Sequence, residues 1–172
     1  MAFRLRRAEA ADAEALSLVA GATFLETYAD ILKREDMLAH IAGKSSPERF
    51  SSFMADPRTI VTLAEAPAGR APLGYTIMAD PDLPVELQAD DIELLRIYTL
   101  APRLGSGLGA ALLERAITDA RADGRKRMLL GTHPDNVRAR RFYEKHGFTV
   151  IGRRTFRVGE AEFDDPVYAR AL

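Results

Sequence analysis

Three glycines stand at alternate positions, Gly105, Gly107 and Gly109, between an apolar stretch and a strongly helical segment. Glycine allows positive φ and removes Cβ atoms from the surface of a turn. Such a turn exposes backbone N–H groups at a helix N-terminus, where unpaired donors and the positive end of the helix dipole act together. The pattern therefore predicts a phosphate or diphosphate site. The uninterrupted helix that follows favours this interpretation over glycines that serve only a tight turn.

Two common phosphate-binding motifs do not fit this segment. A P-loop needs Lys and Ser/Thr after its last glycine, where this chain has Ala110 and Ala111. The pattern G-x-G-x-x-A is present, but a dinucleotide site also needs an acidic residue about 20 positions on, at the end of the next strand. That strand ends in Gly-Thr-His, residues 131–133. A nucleotide-binding oxidoreductase is therefore disfavoured.

Length, charge and composition exclude several classes of protein. The chain has 172 residues, which suits one domain, and its net charge of -1 gives no general attraction to nucleic acid or to an anionic membrane. It has no cysteine, so disulfides, thiolate zinc sites and cysteine nucleophiles are absent. The three histidines have no metal-like spacing, and we expect no metal. Without a signal peptide or a long apolar run, a cytoplasmic protein is expected.

The hydrophobic pattern predicts a mixed sheet covered by helices. A short strand and three helices, the first capped by Asp12, precede two strands. A central strand, a helix, a strand, a second helix and two closing strands follow. In the central strand, "DIELLRIYTL", the apolar residues change parity, which a bulge near Leu94 and Leu95 would explain. A strand buried on both faces would explain the pattern equally well.

The glycine segment and the segment "NVRARRFYEKHGF", residues 136–148, together resemble the GNAT N-acetyltransferase superfamily. The second segment carries Asn136, Ala139, Tyr143 and the closing Gly-Phe of the family signature N-x-x-A-x-x-[F/L]-Y-x-x-x-G-F. The first segment departs from its signature, [Q/R]-x-x-G-x-[G/A], because Leu104 stands where the family has Gln or Arg.

The resemblance implies a single-domain α/β (α+β) fold over residues 1–172. Its mixed, mostly antiparallel sheet has a central, splayed pair of parallel strands and helices on both faces. It also implies acetyl-CoA as cosubstrate, with no metal. The pantetheine arm would pair with the strand edge at Ile97 and Thr99, and Asn136 would contact the coenzyme. The diphosphate would lie on the turn formed by Arg103, Leu104, Gly105, Ser106, Gly107, Leu108 and Gly109.

Two side chains are candidates for the chemistry. By resemblance, Tyr143 is the general acid that protonates the departing thiolate; the alternative is a buried ring with a satisfied hydroxyl. Glu93, on the central strand beside the splay, is the candidate base for the acceptor amine, with Arg96 as its ion-pair partner. A strand-end glutamate in a salt bridge is an equal alternative. Asn136 could instead act only as a helix cap.

The acceptor is expected to be a primary amine of a small molecule. Residues 79–93 are acidic, and the first helix adds Glu26 and Tyr28 as candidate substrate contacts, which favours a polyamine-like or other cationic amine. A solvated acidic surface is the simpler interpretation of that stretch. A protein N-terminal or lysine acetyltransferase and a non-catalytic acetyl-CoA sensor remain alternatives. Homodimerisation is left open.

Overall fold

The computed structural model describes residues 2–172, which form seven β-strands and five α-helices. The strands are β1 (Arg4–Arg7), β2 (Ile60–Glu65), β3 (Pro72–Ala79), β4 (Asp91–Thr99), β5 (Arg127–Gly131), β6 (Thr149–Val158) and β7 (Ala161–Ala171). The helices are α1 (Ala13–Tyr28), α2 (Arg34–Lys44), α3 (Pro47–Ala55), α4 (Leu108–Ala122) and α5 (Val137–Lys145). No helix within residues 2–172 is both long and apolar enough to cross a bilayer.

The strands form one mixed sheet in the order β1-β2-β3-β4-β5-β7-β6. Every neighbouring pair is antiparallel except β4 and β5, which run parallel at the centre. Strand β7 enters between β5 and β6, so the closing hairpin lies at one edge of the sheet with β6 outermost. The predicted mixed, mostly antiparallel sheet with one central parallel pair is confirmed.

The central pair is joined over a short distance only. Residues 91–93 of β4 pair with residues 127–129 of β5, and beyond that point the two strands are no longer paired. Strand β4 also contains the predicted bulge: Met78 faces Leu94 and Ile77 faces Arg96, so Leu95 is the extra residue. The far half of β4 therefore has an unpaired edge beside β5.

Helices cover both faces of the sheet, as expected. On one face α1 and α3 pack on β2 and β3, where Leu16 and Phe50 are fully buried against Ile77. On the other face α4 packs on β4 and β5, with Leu113 buried against Ile92. Burying each of these side chains contributes about 1.5–3 kcal/mol. The two cores hold the central strands in place between them.

The expected cap of α1 is wrong. Asp12 does precede the helix, but its side chain makes no capping hydrogen bond. Its two oxygens instead accept from the guanidinium of Arg6 at 2.6 and 2.7 Å. Arg6 also donates to Glu65 at 3.1 Å, which ties the turn before α1 to β1 and β2. Asp12 binds the Arg6 guanidinium rather than a backbone amide of α1 because hydrogen bonds in which both donor and acceptor are charged are stronger.

Candidate active site

The glycine turn has the conformation that its sequence predicts. Gly105 and Gly107 have φ of 75° and 85°, values that only glycine adopts easily, and a Cβ at either position would meet no atom within 4 Å. The hydroxyl of Ser106 donates to the carbonyl of Arg103 at 2.6 Å, which closes the turn internally. The turn is therefore shaped by its backbone, with an open surface above it.

Several amides of this turn have no acceptor within the part of the chain that the structure describes. The Leu104 and Ser106 amides bond to carbonyls within the turn, and the Ala111 amide bonds to the carbonyl of Gly107. The amides of Gly107, Leu108 and Gly109 have no such partner among residues 2–172. These donors lie at the positive end of the α4 dipole, so the turn can bind an anionic group.

A cavity of about 930 Å³ runs along β4 and reaches the glycine turn. The cavity is lined by most of the side chains that the sequence predicts for the site: Tyr28, Glu93, Ile97, Thr99, Arg103, Leu104, Gly105, Gly107, Gly109, Asn136 and Tyr143. The splayed strands create this space because the edge of β4 beyond residue 93 is not covered by β5.

Three predicted site residues do not line the cavity. The side chain of Leu108 is fully buried in the core, so only its amide is available to a ligand. Ser106 uses its hydroxyl within the turn. Glu26 accepts from the amide of Ala101 at 2.9 Å and so fixes the end of β4 to α1. In this structure Glu26 therefore has a structural contact, and its substrate contact stays a prediction.

Tyr143 is buried on α5, between the rings of Phe142, Phe148 and Tyr168, and lines the cavity. Burial, and next to it the neighbouring hydroxyl of Tyr98, raise the pKa of Tyr143 above its ordinary value of 10. The phenol therefore stays protonated at neutral pH and can donate a hydrogen bond into the cavity.

Asn136 caps α5, since its side-chain oxygen accepts from the amide of Ala139 at 3.0 Å. The cap that the sequence left as an alternative is therefore present, and Asp135 does not serve it. The side chain also lines the cavity, and its NH₂ group remains as a donor. Capping and a ligand contact are compatible because they use different atoms.

Glu93 is 3% exposed and has a different partner from the one expected. Its Oε2 accepts from the amide of Asp82 at 3.1 Å, and its Oε1 lies 3.5 Å from Arg154 of β6. Burial raises the pKa of Glu93 above its ordinary value of 4.5, although the Asp82 amide and Arg154 oppose this. The expected ion pair with Arg96 is wrong, because Arg96 donates to Lys44 and Ser45 at the end of α2.

Two further residues, Asp165 and His133, join Glu93 and Arg154 in what we call the acid cluster, and neither has a role in the sequence analysis above. Asp165 of β7 is 2% exposed and lies 3.4 Å from Arg154, and His133 follows β5 and is also buried. Burial raises the pKa of Asp165, while Arg154 and His133 lower it. Asp165 directly precedes the apolar run of residues 166–169 in the closing strand, and this position was the signal that could have revealed it.

The absence of a side chain at Gly131 makes the acid cluster possible. Arg154 reaches from the outermost strand toward β4 across the end of β5, where a Cβ on residue 131 would lie 2.5 Å from the guanidinium. Glycine at this position lets one arginine serve Glu93 and Asp165 together. All four members of the cluster line the cavity.

Aromatic rings complete the wall beside the acid cluster. Tyr28 lies 4.6 Å from Phe24 and 6.1 Å from His133, measured between ring centroids. His40 stacks on Phe24 at 4.1 Å. Burial, together with Arg96 and Lys44, lowers the pKa of His40 to about 4, so this ring is neutral at pH 7. The wall is suited to the alkyl part of a small ligand.

The acidic stretch of residues 79–93 is mostly engaged outside the cavity. Asp80 pairs with Arg58 and Arg125, and Asp91 pairs with Arg127. Of this stretch, only Asp82 and Glu93 line the cavity. The simpler interpretation of a solvated, ion-paired surface therefore describes most of these carboxylates. Basic side chains on α5 that line the cavity, Arg138 and Lys145, lie on the helix beside the glycine turn.

Comparisons with solved structures show the same fold. PaiA N-acetyltransferase from Thermoplasma acidophilum, in complex with coenzyme A, is similar over 100% of both chains, with a TM-score of 0.81 and 23% identity. The ribosomal-protein-S18-alanine N-acetyltransferase of Escherichia coli is similar over 99% of this chain and 94% of its own, with a TM-score of 0.72 and 17% identity.

Sequence comparison gives the family. An uncharacterised N-acetyltransferase of Mycobacterium tuberculosis is 34% identical over 161 residues, which cover 94% of this chain and 98% of the relative. The acetyltransferase (GNAT) family model matches residues 25–148, which include the glycine turn, β4, β5 and α5. The resemblance inferred from the two motifs is confirmed, and the chain belongs to the acetyltransferase (GNAT) family.

Proposed function

We propose that residues 1–172 act as one acetyl-CoA-dependent N-acetyltransferase domain that transfers acetyl directly to the primary amine of a small molecule. The observation that carries this proposal is the juxtaposition of the free amides at residues 107–109 with the unpaired edge of β4 in one cavity. The amides suit a diphosphate, and the strand edge suits an amide-bearing chain beside it.

The cavity also suits the rest of the coenzyme. Its volume of about 930 Å³ holds a long ligand, and Arg138 and Lys145 favour its phosphate groups. Ile97 and Thr99 are the proposed partners of the pantetheine arm, and an amide of this stretch would stabilise the oxyanion of the acetyl group. Asn136 would contact the arm through its NH₂ group while its oxygen caps α5.

Tyr143 is the proposed donor to the departing thiolate. A thiol has a pKa of about 8.5, so the raised pKa of the buried phenol makes complete proton transfer unfavourable at first. The hydroxyl therefore acts first as a hydrogen-bond donor to developing negative charge on sulfur. The proton moves to sulfur as the carbon–sulfur bond breaks, and Tyr143 is reprotonated by the second proton that the acceptor nitrogen releases when it becomes an amide.

Glu93 is the proposed base. An alkyl ammonium of pKa about 10.4 must lose a proton before it attacks, which costs about 4.6 kcal/mol at pH 7. A buried carboxylate with a raised pKa is a better proton acceptor than an exposed one. One proton passes from the ammonium to Glu93, the neutral amine attacks the acetyl carbon, and the carbon–sulfur bond breaks as sulfur takes the proton of Tyr143. The nitrogen then loses a second proton, which restores the phenol, and Glu93 releases its proton to solvent.

The test is CoA release across a panel of amines, with acetyl-CoA binding measured separately by thermal shift. We expect stabilisation by acetyl-CoA and turnover with small primary amines, polyamines being included because the sequence favours a cationic acceptor. Binding without turnover of any amine would support a sensor instead. Turnover confined to peptides would support a protein acetyltransferase. Stabilisation by NAD but not by acetyl-CoA would contradict the proposal.

A further inference from the structure

Two buried polar atoms of the acid cluster have no hydrogen-bond partner among the residues that the structure describes. One is Oδ1 of Asp165 and the other is Nε2 of His133. Both side chains are more than nine-tenths buried, and both line the cavity. An unpaired polar group in such a place costs about 1–3 kcal/mol, so a ligand that satisfies both atoms is favoured there.

The sheet places these two residues side by side. Gly131 of β5 pairs with Val167 of β7, and the amide of Thr132 donates to the carbonyl of Pro166 at 3.3 Å. The next step along the two chains brings His133 beside Asp165. Phe163 holds the imidazole ring at 4.5 Å between centroids. The two atoms therefore belong to one fixed patch of the cavity wall.

Their hydrogen-bonding roles follow from their other contacts. Nδ1 of His133 accepts from the amide of Asp135 at 3.2 Å, which leaves Nε2 as the nitrogen that carries a proton and can donate. Oδ2 of Asp165 faces Arg154, which leaves Oδ1 as an acceptor. In Glu93, by contrast, both oxygens are engaged. The patch therefore presents one free acceptor and one free donor.

We propose that Asp165 and His133 form the acceptor subsite, with Asp165 accepting from the ammonium group and His133 donating to an oxygen near it. This rests on the proposed acetyl transfer. The substrate class is then an amine with a hydroxyl, carbonyl or carboxylate oxygen close to its nitrogen, such as an amino alcohol, an amino acid or its amide. A simple polyamine would leave His133 unsatisfied.

The test compares matched amines that differ in that oxygen. 2-Aminoethanol is set against propylamine, and glycinamide against isobutylamine, with putrescine as the oxygen-free diamine. We expect the wild type to prefer the oxygen-bearing member of each pair by about tenfold in kcat/KM, the value of one buried hydrogen bond. His133→Phe, which keeps an aromatic ring, should abolish this preference and leave propylamine within about twofold.

Asp165→Asn should raise KM for every amine by about tenfold or more, because it removes the charge that the ammonium faces, while KM for acetyl-CoA stays unchanged. The matched control is Asp164→Asn, an exposed acid that pairs with Arg153 and does not line the cavity. This control should alter neither the preference nor the amine KM.

Histidine-ring NMR of the CoA-saturated protein gives a readout that needs no turnover. 2-Aminoethanol should shift the ring resonance that is missing in His133→Phe, and propylamine should not. Equal use of both members of each pair, or an Asp165→Asn variant no weaker than Asp164→Asn, would overturn the subsite. Loss of acetyl-CoA binding and of all turnover in the wild type would instead overturn the proposed function.

Discussion

A substitution at Tyr143 can separate an effect on the chemical step from an effect on acetyl-CoA binding. Its ring is buried among other rings, so removal of the hydroxyl alone leaves the packing in place. We expect Tyr143→Phe to lower kcat by about 100-fold, the lower end of the range for general acid catalysis, with the Kd of acetyl-CoA unchanged within about twofold. Steady-state CoA release and calorimetry check the two quantities. Unchanged turnover would refute its role as the acid.

The proposed role of Glu93 as the base predicts how activity depends on pH. A base must be ionised to act, and burial places the pKa of this carboxyl above 4.5, so activity should fall on acidification at a pH above that value. Glu93→Gln should lower kcat by about 100-fold and remove this acid limb. The pH profiles of kcat/KM for both proteins check it, with Asp164→Asn, an exposed acid outside the cavity, as the control. A limb that persists in Glu93→Gln would assign the base elsewhere.

Sequence reasoning identified part of the site at the residue scale. Tyr143 and the glycines follow local motifs, and the structure brings them to one cavity. Arg154, Asp165 and His133 were missed because their meeting depends on the pairing of β7 with both β5 and β6, which no local spacing encodes. The proposed partner of Glu93 was wrong for the same reason: Arg154 is 61 residues away in sequence, whereas Arg96 is close by.

At the scale of secondary-structure elements, substitutions in the glycine turn can separate the effect of backbone strain on stability from the effect of the turn surface on acetyl-CoA binding. Gly107→Ala introduces a Cβ at positive φ, which costs about 1–2 kcal/mol of stability, and adds a methyl group to the open surface of the turn. We expect the Kd of acetyl-CoA to rise about tenfold, since the methyl group and the strained backbone disturb the surface that is proposed to hold the diphosphate.

The matched control is Gly124→Ala, at the end of α4. Gly124 has φ of 78°, no atom within 4 Å of the added Cβ and no place in the cavity. It should lose similar stability in urea unfolding but retain its affinity for acetyl-CoA in calorimetry. Equal losses of affinity in both variants would show that strain, rather than the turn surface, controls binding.

Most elements were predictable because helix and strand periods are local. Proline and serine at the start of α3 and glycine after α4 mark ends that the structure shows, and Ser46 does cap α3. The sequence suggested the bulge at Leu95 but did not distinguish it from a strand buried on both faces, since such a strand can carry apolar residues at every position. The cap of α1 was wrong because Arg6, in the preceding strand, competes for the carboxylate of Asp12.

At the scale of the whole molecule, the ion cluster of Arg6, Asp12 and Glu65 makes the free energy of unfolding depend on pH. The hydrogen bond from Arg6 lowers the pKa of Asp12 below its ordinary 3.8, and Arg6 outweighs burial to lower that of Glu65 below 4.5. A lowered carboxyl pKa stabilises the fold above the ordinary value, and this stabilisation is lost as pH falls through the folded value.

We therefore expect Arg6→Met to destabilise the protein by about 3–5 kcal/mol at pH 7, since Asp12 loses its charged partner and Glu65 keeps only the exposed Arg4 and Arg70, at 3.8 and 3.5 Å. The difference from wild type should shrink as pH falls below the ordinary pKa values of the two carboxyls and through their lowered values in the folded protein. Urea unfolding at several pH values measures this. Arg58→Met is the control, because Arg58 forms exposed pairs and should change stability by less than about 1 kcal/mol. A difference that grows on acidification would contradict the assignment.

The lack of a side chain at Gly131 has a consequence for how the substrate preference of this protein can be altered. Any larger residue there would push the guanidinium of Arg154 aside, and two neighbouring carboxylates would then repel each other without a cation between them. Substrate preference could thus be altered from a position that need touch no substrate at all. A redesign of this enzyme that changes only the side chains of the cavity wall would overlook Gly131, which has no side chain. The position of the Arg154 charge between Glu93 and Asp165 depends on this glycine.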